Sequence, residues 1–80
     1  MWSQGTIWTR EGKVGYDYFT KHFDEPSDEF GIEGGKISKL SIRKHGETKW
    51  LANYDRFWDI EVPDDDKVKG VYKILLEKYN

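Results

Sequence analysis

A single stripe of apolar residues near the end of the chain limits what the rest can become. Val68, Val71, Tyr72, Leu75, Leu76 and Tyr79 recur at helical spacing, which places them on one side of an α-helix. Pro63 and the run Asp64-Asp65-Asp66 stand just ahead of them. An aspartate there can cap the free N–H groups of the first turn, and its neighbours suit the positive end of the helix dipole. Lys73 and Lys78 fall toward the other end, while Gly70 and Ile74 lie off the stripe. Each large side chain of the stripe is worth roughly 1.5–3 kcal/mol when buried. The helix therefore needs an apolar surface to lie on, and everything before it reads as strands and turns.

Those strands follow from alternation. Trp2 to Thr9 is rich in aromatic and β-branched residues, with Gly5 as a bulge or close-approach point. Arg10-Glu11-Gly12-Lys13 turns the chain, and Val14, Tyr16 and Tyr18 alternate on the return. Phe19 breaks that period, which implies either a bulge near Tyr18-Phe19 or large groups on both faces. Lys36 to His45 is a third strand, with Leu40 and Ile42 on one parity and Ser41 and Arg43 on the other. Gly46 and Glu47 reverse the chain into a fourth, where Thr48, Trp50, Ala52 and Tyr54 share a face. The predicted architecture is α+β: an antiparallel meander of about four strands with one C-terminal helix packed on one face. Residues 1–80 form a single domain.

Composition narrows the function. The chain has no cysteine, so disulfides, thiolate metal sites and cysteine nucleophiles are excluded and a cytoplasmic setting is expected. A net charge of −2 disfavours nucleic-acid binding by phosphate neutralisation. No apolar run approaches membrane length and no secretory signal is visible. Aromatics reach 16% against only 36% hydrophobic residues in all, so a few large rings must supply much of the buried area.

Residues 24–35 carry a proline, a serine, Gly31, Gly34, Gly35 and the carboxylates Asp24, Glu25, Asp28, Glu29 and Glu33. They read as a long loop that Phe30 and Ile32 can pin to the core. Its spacing does not match a calcium loop, and Gly34-Gly35-Lys36 lacks the glycine spacing and following helix of a phosphate loop. His22 and His45 flank predicted turns with no nucleophile pattern beside them, and no serine sits in a Gly-x-Ser-x-Gly context. No catalytic residue, metal ligand or cofactor is expected.

The densest group of functional side chains is Trp50 to Asp59. If Trp50 and Tyr54 face the helix, Asn53 and Asp55 point away and Arg56 can pair with Asp59. One reading is a core strand closed by a charge pair. The rival uses Arg56 as an anion or carboxylate fork, with Tyr54 and Trp58 as aromatic walls and Asp55 beside them. Lys39 and Arg43, within the basic group Lys36, Lys39, Arg43, Lys44 and Lys49, would extend that surface toward a nucleotide or an acidic protein; the alternative is ordinary protection of an edge strand by lysines.

Two blocks carry a resemblance. Gly31-Ile32, Gly34-Gly35 and Ile37-Ser38-Lys39-Leu40, followed by Asn53-Tyr54-Asp55-Arg56 and Trp58-Asp59, look like a family of short bacterial and phage proteins known only as a domain of unknown function. The resemblance covers most of the chain. Phe57 stands where that pattern usually has glycine, so the turn here must differ or Phe57 must adopt an altered backbone. A phage or mobile-element setting is what the resemblance implies; it brings no activity with it.

The function expected on these grounds is a small non-enzymatic binding module that occludes a protein surface, such as a phage-encoded inhibitor of a host-defence protein. Two alternatives are a nucleotide or small-ligand sponge and a purely structural homodimer joined at a sheet edge. The expected binding residues are Arg56, Asp55, Trp58, Tyr54, Lys39 and Arg43.

Overall fold

Alternating side chains along the first two-thirds of the chain produce a sheet, and the terminal stripe produces the one helix that covers it. The computed structural model describes residues 1–80. Strands β1 (Trp2–Trp8), β2 (Gly15–His22), β3 (Ile37–Lys44), β4 (Trp50–Asp55) and β5 (Trp58–Ile60) lie side by side in chain order, every neighbour antiparallel. Helix α1 spans Asp66–Tyr79, and a single 3₁₀ turn, Ile32–Gly34, lies in the loop between β2 and β3. The fold is α+β. No helix is long and apolar enough to cross a membrane.

The sheet has five strands where the sequence predicts about four. Asp55 N–H donates to the Phe57 carbonyl at 3.0 Å, and Arg56 takes the left-handed conformation at φ 68°. The chain therefore reverses across Arg56-Phe57, and Trp58 returns opposite Tyr54. Phe57 itself has no positive φ; the unusual backbone falls one residue earlier.

The face under α1 is set by pairing. Tyr18 lies opposite Ile42 and Thr20 opposite Leu40; Ile42 pairs with Ala52 and Leu40 with Tyr54. These residues are buried together with Val68, Val71 and Leu75 of the helix, while Tyr72, Leu76 and Tyr79 pack against them from its flanks. The stripe is thus committed to the core, and Ile74, off the stripe, is exposed. Asp65 begins the helix: its Oδ1 accepts from Lys67 N–H at 2.8 Å and Val68 N–H at 3.3 Å.

The register decides which faces Phe19 and Trp50 occupy. Phe19 is not a bulge, because β2 pairs with β1 and β3 without interruption from Tyr16 to Lys21; it sits on the opposite face from Tyr18. The irregularity comes at Lys21/His22. Trp50 does not share a face with Ala52 and Tyr54. Ile42 pairs with Ala52 but Arg43 pairs with Trp50, so β4 carries one extra residue, and an odd insertion moves everything before it to the other face.

The loop of residues 24–35 is tied down at both ends. Ile32 is buried, whereas Phe30 is partly exposed; its carbonyl accepts from Tyr54 Oη at 3.1 Å and its ring lies under the Arg56 guanidinium. The Asn80 side chain bridges the loop to β3. Its Oδ1 accepts from Ile37 N–H at 3.0 Å and its Nδ2 donates to the Ile32 carbonyl at 3.2 Å. A side chain at Gly35 would occupy the space this amide fills.

Candidate functional site

Helix α1 covers one face of the sheet, and nothing covers the other. Pairing arranges that open face in three rows across the strands. The first row is Thr6, Asp17, Arg43 and Trp50; the second is Gln4, Phe19, Ser41 and Asn53; the third is Trp2, Lys21, Lys39 and Asp55.

Asp17 organises the first row. It is 9% exposed, and a carboxylate that deep needs partners. Its Oδ1 accepts from Thr6 Oγ1 at 2.8 Å and lies 2.8 Å from His45 Nδ1, and its Oδ2 accepts from Arg43 Nε at 3.2 Å. The hydrogen bonds from His45 and Thr6, helped by Arg43, hold the Asp17 carboxyl below the usual aspartate value against the opposing effect of burial. The Arg43 guanidinium is also stacked, 5.2 Å from the Phe19 ring centre and 5.5 Å from that of Trp50. Those two rings meet edge-on at 5.7 Å. Only Nε is used within the chain, so the terminal nitrogens of an immobilised guanidinium keep their donors free.

The second row is neutral: Ser41 Oγ donates to Asn53 Oδ1 at 2.7 Å. In the third row Trp2 is 61% exposed, with the Lys21 and Lys39 ammonium groups 5.7 Å and 5.8 Å from its ring centre. Lys39 also lies 3.9 Å from Asp55. Beyond that row the face ends in a cleft of about 380 Å³, bounded by Lys39, Asn53, Asp55, Arg56, Phe57 and Asp59.

The six residues singled out in the sequence are divided between the two faces. Lys39, Asp55 and Arg56 share the cleft, and Arg43 stands farther along the same face. Tyr54 and Trp58 are on the helix side, edge-on to each other at 5.1 Å, with Trp58 in turn against Tyr72 at 5.6 Å. They are packing residues of the core, not walls around Arg56. The expected Arg56–Asp59 pair is not formed; the Arg56 guanidinium lies over the Phe30 ring at 5.3 Å. Asp17, Phe19 and Trp2 are not among the residues the sequence singles out, and Trp50, expected to face the helix, lies on the open face beside Phe19. The available signal was a charged residue between Tyr16 and Tyr18 on an otherwise aromatic strand.

His22 stacks on Tyr79 at 5.2 Å and lies 3.4 Å from Ser3 Oγ through Nε2, and no carboxylate orients its ring. Tyr18 Oη, hydrogen-bonded to Tyr79 Oη at 3.1 Å, has its pKa pushed up to about 12 by that bond and by burial. No three His, Asp or Glu side chains converge as metal ligands.

A family model described as a domain of unknown function, DUF7678, matches residues 1–80. The chain belongs to that family. No curated protein and no solved structure matches this DUF7678 domain, so its open face has to be read on its own chemistry.

Proposed function

We propose that this DUF7678 domain is a non-enzymatic binding module whose open sheet face engages the surface of a protein partner. The observation that carries this reading is Arg43. A guanidinium held against two touching aromatic rings and bonded to a buried carboxylate, with its outer donors free, has less conformational freedom to lose when a partner arrives. That loss is the cost that binding otherwise imposes on a long side chain. Trp, Phe and Arg gathered on one surface are residue types enriched at interfaces, and Trp and Arg are among those in which interface energy concentrates. The charges there nearly balance, with Lys21, Lys39, Arg43 and Arg56 against Asp17, Asp55 and Asp59. A protein of mixed charge fits that surface better than a polyphosphate chain does. In the mobile-element setting the family resemblance suggests, covering a host-defence protein in the cytoplasm is the matching role.

The test is affinity capture from the native host with Arg43→Gln and Lys39→Glu beside the unaltered chain. Lys39→Glu should keep the fold, Arg43→Gln should be less stable but still folded by circular dichroism, and both should weaken capture of the same protein by about tenfold or more, the size of an interface hot-spot effect. Undiminished capture by both variants rules out this face.

One observation favours a second reading: Trp2, with the Lys21 and Lys39 ammonium groups 5.7 Å and 5.8 Å from its ring centre, can stack a base while the two lysines meet a phosphate. A thermal-shift screen with mono-, di- and cyclic nucleotides separates the two. Stabilisation that Trp2→Ala and Lys39→Glu abolish would favour the nucleotide.

A further inference from the structure

The sheet has two edges, and only one is protected. β5 is three residues long, contains Asp59, and is followed by Glu61 and Pro63. Short length, charge and proline are the usual means of keeping an edge from pairing. β1 has none of them. From Trp2 to Trp8 there is no charged residue and no proline, and its pairing with β2 is free of bulges over all seven residues.

The free side of β1 can be specified residue by residue. Thr9 N–H donates to the Val14 carbonyl at 2.7 Å, and His22 N–H donates to the Met1 carbonyl at 3.0 Å. In an antiparallel ladder alternate residues turn their backbone groups toward the neighbour. The odd-numbered residues thus serve β2, and Trp2, Gln4, Thr6 and Trp8 present their N–H and C=O groups outward. Their side chains lie on the open face, opposite Lys21, Phe19, Asp17 and Gly15.

We propose that two copies of this chain join β1 to β1, antiparallel about a two-fold axis at Gly5. In that register Trp2 stands opposite Trp8 of the second copy and Gln4 opposite Thr6. These are the residues whose backbone groups face outward, so every free group of the edge finds a partner. No charge meets a like charge, and the two Trp–Trp pairs are of the cross-strand kind that stabilises a sheet. Trp2 and Trp8 are 61% and 52% exposed in the single chain, and pairing would cover both. The occupant is a second copy because this register matches the edge over its whole length, with an exposed tryptophan meeting a tryptophan at each end and no charge opposed, in the self-complementary way a two-fold interface requires. The product is one continuous sheet whose two open faces merge at the tryptophans. This inference rests on β1 alone and stands apart from the reading of Arg43.

Sedimentation of the full chain, together with Gln4→Pro, tests it. Gln4 N–H is unused within the chain, so proline there removes an outward donor and leaves the β1–β2 ladder intact. The unaltered chain should sediment at twice the 9.5 kDa of one copy. Gln4→Pro, with an unchanged circular dichroism spectrum, should raise the dissociation constant about tenfold or more. A monomeric unaltered chain, leaving the edge to an extended segment of another protein, overturns the proposal, as does a folded Gln4→Pro that stays dimeric. Register is tested independently of that variant's folding. The chain has no cysteine, so mixing Gln4→Cys chains with Thr6→Cys chains under mild oxidation should give the mixed covalent dimer. Disulfide-linked Gln4→Cys pairs alone would contradict the two-fold at Gly5, because the diagonal separation of roughly 7–8 Å in that register is too long for the bond.

Discussion

Arg43 and Asp17 face each other across β2 and β3, joined by a 3.2 Å bond from Nε to Oδ2, on the side of the sheet that the helix does not cover. The pair immobilises a cation on an exposed surface and supports a buried carboxylate in the same stroke. Stability and binding therefore meet at one point, and substitutions there should separate them.

Asp17→Asn should destabilise the domain by about 2–4 kcal/mol near neutral pH, because Arg43 and Thr6 lose a charged acceptor in a nearly buried site. The Asp17 carboxyl is held below its ordinary 3.8. Its contribution is thus complete above that value and is lost as pH falls through the lowered folded value. Urea titrations of both chains should show the largest gap near pH 6 and a narrowing gap toward pH 2. A gap that widens in acid would contradict the assigned geometry.

Gly5→Ala should cost about 1–3 kcal/mol. A methyl group at Gly5 would come within 2.9–3.1 Å of the Tyr18 hydroxyl and ring, and Tyr18 is buried and tied to Tyr79. Chemical denaturation measures the cost. Absorbance titration should also show the Tyr18 hydroxyl ionising closer to 10 once its bond to Tyr79 is disturbed.

Arg56→Gly should be more stable than Arg56→Ala by about 1 kcal/mol. Arg56 sits at φ 68°, where alanine keeps the steric penalty of a Cβ and glycine removes it. Both lose the stacking on Phe30, so their thermal melts isolate the backbone effect. Equal melts would mean that the β4–β5 turn relaxes without Arg56.

Asn80→Ala should loosen the loop of residues 24–35 without dissolving the sheet. The Ile37 amide loses its acceptor, and its hydrogen exchange should quicken about tenfold or more, a loss of roughly 1.4 kcal/mol in local protection. Amides at the middle of β2 should exchange as before.

How much of this was legible beforehand depends on which period the residues obey. The spacing from Val68 to Tyr79 could hardly be anything but a helix, and the aspartate run marked its start; α1 begins where expected. Four strands were visible as alternation. β5 was not, because Arg56-Phe57 carries none of the glycine or asparagine that usually marks a two-residue reversal. Parity places Trp50 on the helix face because it cannot show a one-residue insertion, and only pairing with Arg43 reveals it. The candidate site suffered for the same reason. Tyr54 and Trp58, close in sequence to Asp55 and Arg56, lie across the sheet from them, while Phe19 and Asp17 reach Arg43 from another strand. Sequence proximity was a poor guide; lateral pairing decides which side chains meet.

The central claim is that the open face, and not the helix, meets the partner. Photo-crosslinking in the native host tests it most directly, with a photoreactive amino acid replacing Lys39 on the open face in one chain and Lys73 on the exposed side of α1 in another. A specific protein adduct from position 39 and none from position 73 is the predicted result. An adduct from position 73 alone would contradict it.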